Sequence, residues 1–228
     1  MNPLTLTPEE IRVLGSLIEK AHVTPEYYPM TLNSLVNACN QKSSREPVVN
    51  YSEAEVIAAI NLLREKGLCS AVSGNGRVVK YMHRADLVLG LSRAQLTALS
   101  LILLRGPQTY GEIRTRSGRQ YDFSSLEAVG ETIASMMNGE KQLVEEAPRR
   151  IGQKEARYRH RFFLYDDSRP NEEVVISSPS VRDEIEVLKT QFDELKEQHT
   201  IIEEKYASLL AEIDQLKGDL YGKEETSE

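Results

Sequence analysis

Two stretches of this chain hold side chains able to do more than pack. In residues 37–45, N-A-C-N-Q-K-S-S-R, Asn37, Asn40, Gln41, Lys42 and Arg45 stand together with Cys39 in their midst. Amides and cations at this density suit a phosphate or polar ligand, or they satisfy the carbonyls of a helix end. A thiol among them could be a nucleophile only beside a base. Two roles stay open for this cluster: a structural brace, or a ligand or backbone-contact site. The second stretch is basic, with Arg149, Arg150, Lys154, Arg157, Arg159 and Arg161 between residues 149 and 161. In A-R-Y-R-H-R-F-F-L, strand alternation sends Arg157, Arg159 and Arg161 to one face and Tyr158, His160 and Phe162 to the other. Such a face fits a phosphate backbone. It fits equally a solvated strand whose arginines pair with Glu145 and Glu146 across the hairpin.

Other chemistries lack their residues. There is no glycine-rich phosphate loop, no G-x-S-x-G, no H-E-x-x-H and no tight carboxylate pair. The two cysteines, Cys39 and Cys69, form no C-x-x-C and no metal-like grouping with the four histidines, so neither a metal nor a cofactor is expected and the chain reads as non-enzymatic. No charged-then-apolar leader opens the chain, and the longest apolar run, Leu99–Leu104, falls far short of the roughly 20 residues a bilayer requires. A cytoplasmic protein without membrane contact is the expectation. The net charge of −7 is unevenly spread: residues 166–228 hold 7 basic against 18 acidic residues, a net of −11, which leaves 21 against 17, a net of +4, in residues 1–165. A mildly basic body with an acidic tail leaves nucleic-acid binding open.

Helices and hairpins must position both stretches. Thr7-Pro8-Glu9-Glu10 starts a helix that carries Ile11, Leu14, Leu17 and Ile18 inward. A shorter helix fits Thr31 to about Gln41 with Leu32, Leu35 and Val36 buried, and Pro47 ends its exit. Ser52 opens a third with Glu55 as capping box, burying Val56, Ile57, Ile60 and Leu63 and stopping at Gly67. Two β-rich runs then flank Asn75-Gly76, a hairpin signal. The order repeats: a helix from Ser92 with Leu96, Leu99, Ile102 and Leu103, a short one over Thr109–Arg116, and a third from Ser124 or Ser125 with Leu126, Val129, Ile133 and Met136 inward. A longer wing follows. Helix, helix, helix, hairpin is the winged-helix order, and its repetition predicts a mainly α (α+β) chain with two tandem winged-helix domains, 1–88 and 89–165.

Residues 166–179 read as a polar linker, 180–221 as one long helix and 222–228 as a disordered tail. Val181, Ile185, Leu188, Phe192, Leu195, His199, Ile202, Tyr206, Leu209, Ile213, Leu216 and Leu220 step by four and three without a slip. That is a coiled-coil seam about 60 Å long. A parallel pair sets Glu184 against Lys189 and Glu212 against Lys217, whereas an antiparallel pair brings like charges together, so a parallel homodimer is expected.

Residues 14–48, L-G-S-L-I-E-K-A-H-V-T-P-E-Y-Y-P-M-T-L-N-S-L-V-N-A-C-N-Q-K-S-S-R-E-P-V, closely resemble the motif of the YceH-like family of bacterial proteins, and the likeness extends more weakly to about residue 165. The resemblance implies two winged-helix-like domains and no particular activity or ligand. The outward positions of the third helices, Ala54, Ala58, Asn61 and Glu65, then Glu127, Glu131 and Asn138, lack the central Arg or Lys that commonly reads guanine. The second wing points to a DNA-associated, regulator-like protein that binds duplex DNA. The third helices point to a protein-interaction scaffold.

Overall fold

A computed structural model of the chain describes residues 4–73, 78–149 and 152–163, together with residues 196, 199, 200 and 205. Six of the described α-helices begin where the chain supplies a side-chain cap. Thr7, Ser52, Ser92 and Thr109 close reciprocal capping boxes with Glu10, Glu55, Gln95 and Glu112, starting α1 (Pro8–Val23), α3 (Glu53–Glu65), α5 (Arg93–Arg105) and α6 (Tyr110–Ser117). Thr31 and Ser125 cap α2 (Leu32–Cys39) and α7 (Leu126–Asn138) with their hydroxyls. A cap of this kind stabilises a helix by about 1 kcal/mol, so each start is fixed locally before packing acts.

Each half runs through three helices into an antiparallel hairpin. In the first, β2 (Cys69–Ser73) pairs with β3 (Val79–His83), and β3 also pairs with β1 (Met30–Thr31), giving the order β1-β3-β2. In the second, β4 (Val144–Glu146) pairs with β5 (Tyr158–His160), and Gln108 bridges Tyr158 just before α6, as Met30 meets Tyr81 just before α2. The turn expected at Asn75-Gly76 lies outside the described residues. Sequence patterning did not foresee three elements: α4 (Ala85–Leu89), a 3-10 turn at Pro25–Tyr27, and β1.

The described residues from 4 to 163 share one compact unit. Helix α1 is its centre. It packs on α2 and α3 along one side and on α5 along another, so its residues from Glu10 to Glu19 are buried on every face. The seam with α5 is tight at Gly15, where a Cβ would come within 2.9 Å of Leu104 Cγ and 3.1 Å of Leu103 Cβ. Helix α5 is likewise buried from Leu96 to Leu104, and its Leu104 carbonyl accepts the Glu46 backbone N–H at 2.8 Å. One core therefore runs through both halves. Ile11, Leu14, Leu17 and Ile18 are buried as expected, and because the helix is covered on several sides its polar residues are buried as well. Leu126 is corrected too: at the first position of α7 it is 45 % exposed rather than inward-facing.

Of the residues assigned to the coiled-coil seam, Val181, Ile185, Leu188, Phe192, Leu195, Ile202, Tyr206, Leu209, Ile213, Leu216 and Leu220 lie outside the described residues, as do the linker 166–179 and the tail. His199 is described as helical and exposed. Among the described residues, no helix is long and apolar enough to cross a membrane.

Candidate interaction surface

The β4–β5 hairpin binds its own arginines. Arg157 donates from both terminal nitrogens to the Glu112 carboxylate at 2.8 and 3.2 Å, and to the Pro107 carbonyl at 2.9 Å. Arg159 is buried, its Nε donating to Glu145 at 2.7 Å. Arg161 is 44 % exposed in its side chain, lies 3.3 Å from the other Glu145 oxygen and also donates to Gln142. Of the two readings of this strand, the pairing of arginines across the hairpin is seen for Arg159 and Arg161, both on Glu145; the strand itself covers only Tyr158–His160, and all three of its residues are buried. A short strand braced by α5 and by the Gln108 bridge leaves no solvated face for Arg159. Arg149 keeps 61 % of its side chain exposed, 3.7 Å from Glu146, and Lys154 is exposed; Arg150 lies outside the described residues.

Glu112 explains part of this arrangement. It is the capping-box residue of α6, accepting the Thr109 N–H at 2.9 Å, and it takes Arg157 with the same carboxylate. Burial works to raise its pKa, while the Thr109 N–H and the Arg157 and Arg116 guanidiniums bring it below the ordinary carboxylate value. The T-x-x-E capping pattern was visible in the sequence, but its second use as an arginine anchor depends on residues 45 positions apart meeting. Next to this brace, Tyr110 and Tyr158 stack with centroids 4.6 Å apart, and Gly130 of α7 leaves room for the Tyr110 ring.

At the end of α2, Arg45 is buried. It meets Glu19 of α1 through two bonds of 2.7 and 3.2 Å and the Ala38 carbonyl at 2.9 and 3.0 Å. Burial would raise the Glu19 carboxyl, and Arg45, with Lys20 beside it, holds it below the ordinary value instead. Asn40 trades reciprocal 2.8 Å bonds with the backbone of Tyr51, closing residues 40–51 into a fixed loop. Arg12 of α1 donates to the carbonyls of Cys39 and Pro47. Gln41 accepts from Lys20 at 3.3 Å, Asn37 approaches Asn33 on the exposed side of α2, and Lys42 is exposed. The structure thus gathers Asn40, Gln41 and Arg45 into the loop brace and leaves Asn37 and Lys42 on the surface. Sequence reasoning missed Glu19, the partner of Arg45, and Arg12, which holds the Cys39 and Pro47 carbonyls, because both reach this loop only through the packing of α1 on α2.

Burial raises the Cys39 thiol to about 11, and Cys69 likewise to about 11, so both are protonated at neutral pH. Among the described residues, no group of three or more His, Cys, Asp or Glu side chains is placed to hold a metal ion. The exposed face of α3 carries Ala54, Ala58, Asn61, Leu62, Arg64 and Glu65, and that of α7 carries Leu126, Glu127, Glu131, Ser135 and Asn138.

The comparisons agree with the resemblance in residues 14–48. The model of a family described as "Protein of unknown function, DUF480" matches residues 6–153. A UPF0502 protein of Koribacter versatilis is 47 % identical over 163 residues, covering 72 % of this chain and 76 % of its own. One from Shewanella baltica is 49 % identical over 160 residues, covering 68 % and 72 %. One from Pelobacter propionicus is 41 % identical over 216 residues, 94 % of this chain and 98 % of its own. With its helical body matched from α1 into the β4–β5 hairpin, the chain belongs to the DUF480/UPF0502 family.

Proposed function

We propose that the chain is a non-enzymatic interaction scaffold built from two winged-helix units, dimerised in parallel by its C-terminal heptads, whose third helices face protein rather than duplex DNA. The winged-helix reading is supported by the repeated order of three helices and a hairpin, and by the matching strand contacts of Met30 on Tyr81 and Gln108 on Tyr158. The observation that carries the choice of partner is the fate of the wing arginines: Arg157, Arg159 and Arg161 each already meet a carboxylate of their own chain. A phosphate would have to displace Glu112 or Glu145 from them, and like charge at Glu127 and Glu131 on α7 opposes its approach. The exposed Leu62 and Leu126 suit a protein partner better than a polyanion.

The test is fluorescence anisotropy with a random-sequence duplex at about 50 mM salt, where counterion release most favours binding. The expected result is no binding up to tens of micromolar protein. Salt-dependent binding at micromolar concentration would replace this reading with the DNA-associated one.

A further inference from the structure

Several guanidiniums gather at the C-terminal end of α5, and that of Arg105 holds nothing. A basic residue in the last turn of a helix ordinarily serves the open carbonyls there. At this end the carbonyls are already filled. That of Leu104 accepts the Glu46 N–H at 2.8 Å, and the Gln108 amide donates to those of Arg105, Gly106 and Pro107 at 3.3, 3.3 and 3.1 Å. Arg157 adds a 2.9 Å bond to Pro107. Arg105 is left over: its Nε is buried with no partner, and among the described residues its terminal nitrogens meet no acceptor or carboxylate either. Buried polar donors are nearly always paired, and those of a cation still more so.

The surroundings repel this cation rather than compensate it. Gln108 accepts from Arg116 on its amide oxygen while its nitrogen holds the Arg105 carbonyl, which brings the two arginines to one end of the loop between α5 and α6. Burial, then the charge of Arg116, lowers the Arg105 pKa, and Arg116 acts on it more strongly than Glu19, Arg45 or Glu46. The carboxylates are engaged elsewhere: Glu19 meets Arg45 and Lys20, and Glu112 meets Arg157 with Arg116 at 3.7 Å. Lys20, Arg45, Arg105, Arg116 and Arg157 against Glu19, Glu46 and Glu112 make five cations to three carboxylates, an excess of two. We propose that Arg105 and Arg116 form a site for a phosphate dianion, free or as the monoester of a small molecule, held between their guanidiniums beside Gln108. The charge excess selects the ligand, since a dianion cancels it and a single carboxylate does not. Guanidiniums present paired N–H donors that match phosphate oxygens. Both arginines are half-buried, so an anion reaches them without unfolding the chain. Arg45 contributes charge but no contact, because Glu19 and the Ala38 and Ser44 carbonyls occupy its donors. The site is independent of whether the third helices face protein or DNA.

Titration of the full chain with inorganic phosphate at low salt, followed on the arginine Nε–H signals by proton–nitrogen NMR, tests it. The Arg105 and Arg116 signals should shift and saturate with a midpoint at about 1 mM or below, while sodium chloride at matched ionic strength produces no saturable shift. Phosphoserine in place of phosphate tells the two sources apart: a lower midpoint marks a monoester site, and a higher one marks a site for the free anion. Arg105→Gln should raise the phosphate midpoint at least about tenfold. Without phosphate the same variant should be no less stable in urea than the wild type, because it removes a repelled cation and no bond. The absence of a saturable shift up to about 20 mM phosphate overturns the proposal. So does an Arg105→Gln chain that binds phosphate as the wild type does. A variant clearly less stable without phosphate overturns it as well, since Arg105 would then be held by the protein itself.

Discussion

His160 shows how much a single side chain in this fold depends on its surroundings. It is buried in β5, and its Nδ1 accepts the Phe162 N–H at 3.3 Å while its ring packs against Phe162 and Phe163. Burial, with the Arg159 charge next to it, lowers its pKa to about 3. The unfolded chain takes up that proton near pH 6.5, so the folded state holds its full advantage above 6.5 and loses it as pH falls toward 3. Stability should drop by about 2 kcal/mol between pH 6.5 and pH 5 from this residue. His22 and His83, both lowered chiefly by burial, add in the same direction. Urea unfolding at the two pH values checks this. In His160→Asn, whose amide oxygen can take the Phe162 N–H, the drop should shrink by most of that amount. The types and positions of the candidate residues were plain in the sequence, but their engagement was not. Arg45 looks like a free cation until Glu19, 26 positions away, closes on it, whereas the pairing of Arg159 with Glu145 was one of the two readings its hairpin allowed.

The helices were the most readable elements, because S/T-x-x-E/Q starts and apolar spacing are both local. Boundaries at Thr7, Thr31, Ser52, Ser92 and Thr109 follow from them. Helix α1 exceeded its pattern. Its second buried face comes from packing on α5, a tertiary contact that hydrophobic spacing does not encode, and Gly15 is the clue that two helices meet there. A Cβ at Gly15 meets Leu104 at 2.9 Å. Gly15→Val should therefore destabilise the chain by about 1–3 kcal/mol through overpacking, despite the better helix propensity of Val. Gly118, beside which a Cβ meets nothing within 4 Å, is the comparison site, where Ala should be near neutral. Thermal unfolding of both variants measures the difference. The β elements were less legible, since strands of two or three residues such as β1 and β5 exist through their partners rather than through their own alternation.

At the scale of the molecule, the tandem order was legible because it repeats, and the common core between the halves was not, because it arises where α1 and α5 meet. The heptads from Val181 to Leu220 make self-association an expectation of the sequence. Light scattering at micromolar concentration should give twice the monomer mass, and a mass equal to one chain would remove the coiled-coil dimer. The central claim concerns the basic wing, whose arginines are assigned to the protein's own carboxylates. Its most direct test is the urea unfolding free energy of the Arg157→Gln, Arg159→Gln, Arg161→Gln triple variant. Loss of partners for Glu112 and Glu145, with Arg159 largely buried, should cost about 2 kcal/mol or more. A triple variant as stable as the wild type would contradict the account and mark those arginines as free to bind something else.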